Sequence, residues 1–174
     1  LMSANLALKL PVEAAPDEPA VAAAPTFPDT LFVTRKWAPA IGGMEMWSLR
    51  LSEELGKLGH LEVLALPGRK DGHRPGALAM LGFGLKAIRH YLTRPQPPAL
   101  LHVGDMAMWP LGLLPRLRGQ RSKVLLTSFG TDVAYPRRGG WRGWLYGRYL
   151  ALGARLLGQT PVLTISRASA DETR

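Results

Sequence analysis

The sequence predicts an α/β fold, a doubly wound parallel sheet of the Rossmann-like kind, and three observations carry that expectation. Apolar, β-favouring runs alternate with segments whose apolar residues recur every three or four positions. Only a few residues connect most of them. The β runs are continuously apolar, as in strands covered on both faces, rather than alternating as in a half-exposed sheet.

The elements follow in order. Residues 1–29 read as a disordered tail, because Pro11, Pro16, Pro19, Pro25 and Pro28 break any helix and no hydrophobic period runs through them. The body is expected over residues 30–174. Strand 30–34 opens it, and a loop with Trp37, Pro39 and Gly42-Gly43 follows. Met44, Trp47, Leu51, Leu55 and Leu58 then form the core stripe of a helix that Gly59 ends. Strand 61–66 and a turn-rich loop lead to a helical stretch at 76–92, weakened by Gly82 and Gly84. Strand 99–103, a proline-interrupted helix at 109–117, strand 123–127, a helix at 139–157 and strand 161–165 complete the alternation. On the helix at 139–157, Trp141, Leu145, Tyr149, Leu152 and Leu156 read as the core face.

Composition narrows the function classes. No apolar run reaches the roughly 20 residues of a membrane-spanning helix, and no secretory leader is expected, because the first residues lack a basic stretch followed by an apolar one. Cysteine is absent, which excludes disulfides, thiolate metal sites and cysteine nucleophiles. A cytoplasmic protein is expected, peripheral at the inner face of the cell membrane if its basic face meets lipid. The 22 Lys and Arg against 13 Asp and Glu give a formal charge of +9, which favours polyanionic partners. Asp132 is the only acid between Met106 and Ala170, a stretch rich in arginine.

Four places could carry chemistry. Gly42-Gly43 stands where a loop meets a helix N-terminus, a setting suited to phosphate, although a tight turn would explain it equally. Thr127-Ser-Phe-Gly-Thr-Asp132 follows a strand, so Ser128, Gly130, Thr131 and Asp132 fall at the carboxyl edge where open α/β sheets bind ligands. The plain alternative is an Asx turn or a salt bridge at Asp132. His102-Val-Gly-Asp105 also ends a strand; His102 could bind ligand or move a proton there, or be structural. The histidines lack metal-ligand spacing, so no metal is expected. Finally, Arg137, Arg138, Arg142, Trp144 and Arg148 form a candidate membrane or polyanion face, against the alternative of a solvated basic helix.

In order and spacing these pieces resemble the N-terminal domain of family 4 glycosyltransferases. Phe32-Val-Thr-Arg-Lys-Trp-Ala-Pro-Ala-Ile-Gly-Gly-Met-Glu45 leads through a helix to Leu58-Gly-His60, similar to the opening of that family. Leu100-Leu-His102 resembles its strand ending in His, Leu125 to Asp132 its strand and His-Gly-x-Asp loop, and Val162-Leu-Thr-Ile-Ser-Arg167 its late strand ending in Ser166. The resemblance implies one half of a two-domain GT-B enzyme that moves a sugar from a nucleotide sugar to a glycan or lipid-linked acceptor with retention, without a cofactor or an obligatory metal. Gly42 and Gly43 would then approach the donor phosphates. Asp132 would be catalytic, and Glu45, His102, Ser128, Gly130, Thr131 and Ser166 would line the acceptor side. Phe129 departs from the pattern where many members carry His, and Leu61 adds a residue after Gly59-His60. The donor-binding half lies outside this chain, which alone is expected to be inactive. The rival expectation is a non-catalytic Rossmann-like module that recruits a partner or polyanion through its basic face. Nothing beyond charge points to a nucleic-acid partner.

Overall fold

β1 (Thr30–Thr34) is buried at every residue and sits between β2 (Leu61–Ala65) and β3 (Leu100–Val103). A computed structural model describes residues 26–40, 42–69, 71 and 75–165, apart from the side chains of Asp132, Val133 and Arg138. β4 (Lys123–Ser128) and β5 (Val162–Thr164) extend the sheet to the order β2-β1-β3-β4-β5, with every pairing parallel. The expected doubly wound parallel sheet is therefore present.

Strand pleating divides the core in two. Leu31, Val33, Leu101, Val103 and Leu126 point to one face. There they meet α2 (Ala77–Thr93) through Phe83, Ala87 and Tyr91. The 3-10 segment Met106–Leu113 adds Met108, Trp109 and Leu111, and α3 (Leu114–Leu117) adds Leu114. Leu157 comes from α5 (Gly140–Leu157). Phe32, His102 and Thr127 point to the other face. There α1 (Gly43–Leu58) sets Trp47 edge-on to Phe129, with ring centroids 5.3 Å apart. Only the β1-to-β2 connection runs towards that edge of the sheet, and right-handed crossovers then put α1 opposite the other helices.

Several expectations change in detail. The helix expected at 109–117 starts earlier, as a 3-10 turn that Asp105 caps by accepting from the Ala107 amide at 2.9 Å. Two short helices, α4 (Thr131–Ala134) and the 3-10 turn Tyr135–Arg138, fill what read as loop. The buried centre of α1 is Ser48 and Ser52, and Leu58 is exposed. Gly59 does end α1, but with an extended backbone (φ 172°). A Cβ there would lie 3.0 Å from that of Phe27, so any larger residue would press on the segment before β1.

The largest correction concerns α5. Trp141, Leu145, Leu152 and Leu156 do form one stripe, but it faces outwards. The inward face carries Gly143, Gly153 and Leu157, with Tyr149 and Leu150 partly buried. A Cβ on Gly153 would stand 2.8 Å from the Trp109 ring, and one on Gly143 3.0 Å from the Pro136 carbonyl oxygen. Glycines carry no hydrophobic signal, so a reading by apolar period selects the wrong side.

Residues 1–25 of the expected tail lie outside the described residues. Beyond them, Phe27 packs on Gly59 and the Asp29 carbonyl accepts from the Leu100 amide at 3.0 Å. Arg94 joins Asp29 to Glu62 at the amino edge of the sheet.

Candidate functional site

The strand order 2-1-3-4-5 reverses direction between β1 and β3. In open α/β sheets the carboxyl edge at such a reversal is where ligands bind. The two strand ends touch there. The Gly104 amide donates to the Val33 carbonyl at 2.7 Å, and a Cβ on Gly104 would come within 2.6 Å of the Thr34 Cβ. Only glycine allows this approach.

Immediately beyond the strands, Arg35 and Asp105 form a two-pronged ion pair. Arg35 Nε donates to Oδ2 at 2.8 Å and Nη2 to Oδ1 at 2.9 Å. The Asp105 side chain is 0% exposed and that of Arg35 21%. Arg35 Nη1 also lies 3.1 Å from the Met80 sulfur of α2. Behind the pair, the Tyr149 hydroxyl donates to the Ala107 carbonyl at 2.7 Å. Burial, and secondarily the Asp105 charge, pushes its pKa up to about 12. Fork-on-fork geometry fixes the guanidinium plane, so the crevice begins with a rigid, partly open cation.

The β4 turn forms the second wall. Ser128 is buried and its Oγ accepts from the Gly130 amide at 3.4 Å. Gly130 has φ +74°, a left-handed turn that suits glycine. Exposed Thr131 then opens α4, its Oγ1 3.9 Å from the Met44 sulfur in the first turn of α1. Phe129 is buried and held against Trp47, so it serves as core packing between β4 and α1.

α1 forms the third wall. Gly42 is its N-cap and accepts from the Met46 amide at 3.0 Å. Glu45 occupies the third helical position, and its carboxylate folds back over Gly42, where any Cβ would collide with Oε2. The helix N-terminus therefore carries an anion of its own, which the dipole favours. A Cβ on Gly43 would meet nothing within 4 Å.

The structure sets Thr131 beside Met44, the chain neighbour of Gly43 and Glu45 in the first turn of α1, with Ser128 and Gly130 in the same turn as Thr131. It does not bring His102 to the edge. That ring is 1% exposed, lies on Phe32 with centroids 4.7 Å apart, and shares a 2.7 Å hydrogen bond between Nε2 and Thr127 Oγ1. Burial lowers its pKa from 6.5 to about 4, so it is neutral at physiological pH. The Asp132 backbone belongs to α4, but its side chain and all of Ser166 lie outside the described residues, as does the Arg138 side chain. Arg137, Arg142, Trp144 and Arg148 are exposed on and beside α5. A cavity of about 220 Å³ beneath α5, lined by Met106, Trp109, Leu126, Leu150 and Val162 among others, includes none of the expected site residues.

The chain matches no family model and no curated protein. Sequence reasoning singled out the His102 to Asp105 segment for its histidine and gave Arg35, Gly104 and Asp105 no role of their own. Their signal was positional: each lies within two residues of a strand end, and the two strands are neighbours only because the order reverses between them.

Proposed function

We propose that this chain is the acceptor-side domain of a retaining, nucleotide-sugar-dependent glycosyltransferase. The observation that supports the reading best is that the Gly42-Gly43 helix start, the Ser128 to Thr131 turn and the Arg35–Asp105 pair each follow the carboxyl end of a strand in one parallel sheet, beside its point of reversal. In the proposed reaction the bond between the sugar's anomeric carbon and the donor phosphate breaks and a bond to an acceptor hydroxyl oxygen forms. The acceptor proton leaves with the diphosphate. This chain would supply partial positive charge from the first-turn amides of α1 and the Arg35 guanidinium, both aimed where the leaving diphosphate gains charge. Asp132 would border the acceptor. A second domain would grip the nucleotide.

Titration of the isotopically labelled chain with inorganic pyrophosphate, followed by amide NMR, tests the crevice. Saturable shifts at Gly43, Met44 and Thr131 are expected, with tighter binding in Glu45→Gln because the resident carboxylate no longer competes. Shifts confined to the α5 arginines would sink the reading. One observation favours the alternative of a non-catalytic binding module: Glu45 already covers Gly42, where a donor phosphate would sit. That alternative predicts no change of pyrophosphate affinity in Glu45→Gln.

A further inference from the structure

The outer surface of the layer formed by α2, the 3-10 segment, α3 and α5 is apolar along both flanking helices. On α5, Trp141 and Trp144 are 69% and 66% exposed, and Leu145, Leu152 and Leu156 continue the exposed row. On α2, Leu78 is 85% exposed, with Leu81, Leu85 and Leu92 following at helical spacing on the same side. Leu117, at the end of α3, lies exposed between the two helices in the order of the layer. Single exposed leucines are ordinary, but two helix-long rows on one layer are not.

Charge decides what covers them. Neither helix, nor the 106–117 stretch between them, contains an Asp or Glu, and between residues 72 and 170 the acids are Asp105 and Asp132. Asp105 is buried and belongs to the ion pair with Arg35. Exposed cations stand beside the apolar rows: Lys86 and Arg89 on α2, Arg142, Arg148 and Arg155 on α5. The exposed acids Glu53 and Glu54 lie on α1, across the sheet. A second copy of this layer would oppose cation to cation. An anionic bilayer complements both features, taking leucine and tryptophan into the headgroup boundary and arginine onto lipid phosphate. Among the described residues no helix is long and apolar enough to cross a membrane, so the helices would lie in the surface plane.

We infer that the α2–α5 layer is a docking surface for an anionic lipid bilayer, with both helices parallel to the membrane and the α1 face turned to solvent. The inference does not depend on the transferase reading, because the crevice residues take no part in it.

Co-sedimentation of the whole chain with phosphatidylcholine vesicles, with and without phosphatidylglycerol, tests it. Binding is expected only when phosphatidylglycerol is present, weakening as salt is raised. Brominated lipid should quench tryptophan emission in the wild type and much less in a Trp141→Ser, Trp144→Ser variant. Arg148→Glu with Arg155→Glu should weaken binding at least roughly tenfold, and Leu81→Ser with Leu85→Ser should weaken it as well. These side chains are exposed, so circular dichroism should match the wild type. The inference is overturned if phosphatidylglycerol vesicles do not retain the chain at low salt. It is equally overturned if the charge-reversal variant binds as well as the wild type. A wild-type dimer that the tryptophan variant dissociates would also overturn it, by showing that a second copy covers the layer.

Discussion

Asp105 has three acceptor duties, two to the Arg35 fork and one to the Ala107 amide, and no exposed surface. Asp105→Ala removes them together and leaves a largely buried guanidinium without its counter-charge. A loss of about 3 kcal/mol is expected in urea unfolding, whereas Asp105→Asn, which keeps an oxygen for the cap, should lose clearly less. His102 gives a pH signature. Its native pKa of about 4 lies below the ordinary 6.5, so the unfolded chain takes up this proton before the folded one does. Its contribution is intact above pH 6.5 and erodes as pH falls towards 4, by about 3 kcal/mol over the whole window. In His102→Gln, unfolding free energies measured at pH 7 and pH 5 should differ less than in the wild type.

At the scale of elements, glycine separates what the sequence discloses from what it hides. β1 was legible to the residue, because five successive β-favouring positions buried on both sides leave no other reading. The period of α5 was legible and its orientation was not, since its inward face is held by Gly143 and Gly153 rather than by large apolar groups. The candidate site was legible where the chain announces a strand end, at Ser128 to Thr131 and at His102 to Asp105, and hidden where two strand ends must first be paired, in the bond of Arg35 to Asp105. Two substitutions check the account of the helices. Gly153→Ala should cost about 1–3 kcal/mol despite alanine's better helix propensity, because its methyl meets the Trp109 ring. Gly82→Ala in α2, where a Cβ meets nothing within 4 Å, should stabilise by up to about 1 kcal/mol. Thermal melts of the two variants should move in opposite directions.

For the molecule as a whole, the sheet is graded in protection. Its centre is closed on both faces, while β5 has three residues, none of them fully buried, and pairs on one side with β4. Amide hydrogen exchange should therefore be slowest in β1 and β3 and fast in β5, by local opening that leaves the crevice intact. Rapid exchange in β1 would contradict the order of burial.

The Arg35–Asp105 pair joins residues 70 positions apart. During synthesis β1, α1 and β2 emerge with Arg35 still lacking its carboxylate, and the mouth of the crevice cannot close until β3 has been made and has inserted beside β1. Contacts of such long range form slowly, since the intervening loop must first be ordered. The crevice is consequently a late product of folding, and a ligand that occupies it would report, and hold, the completed chain topology rather than any local piece of it.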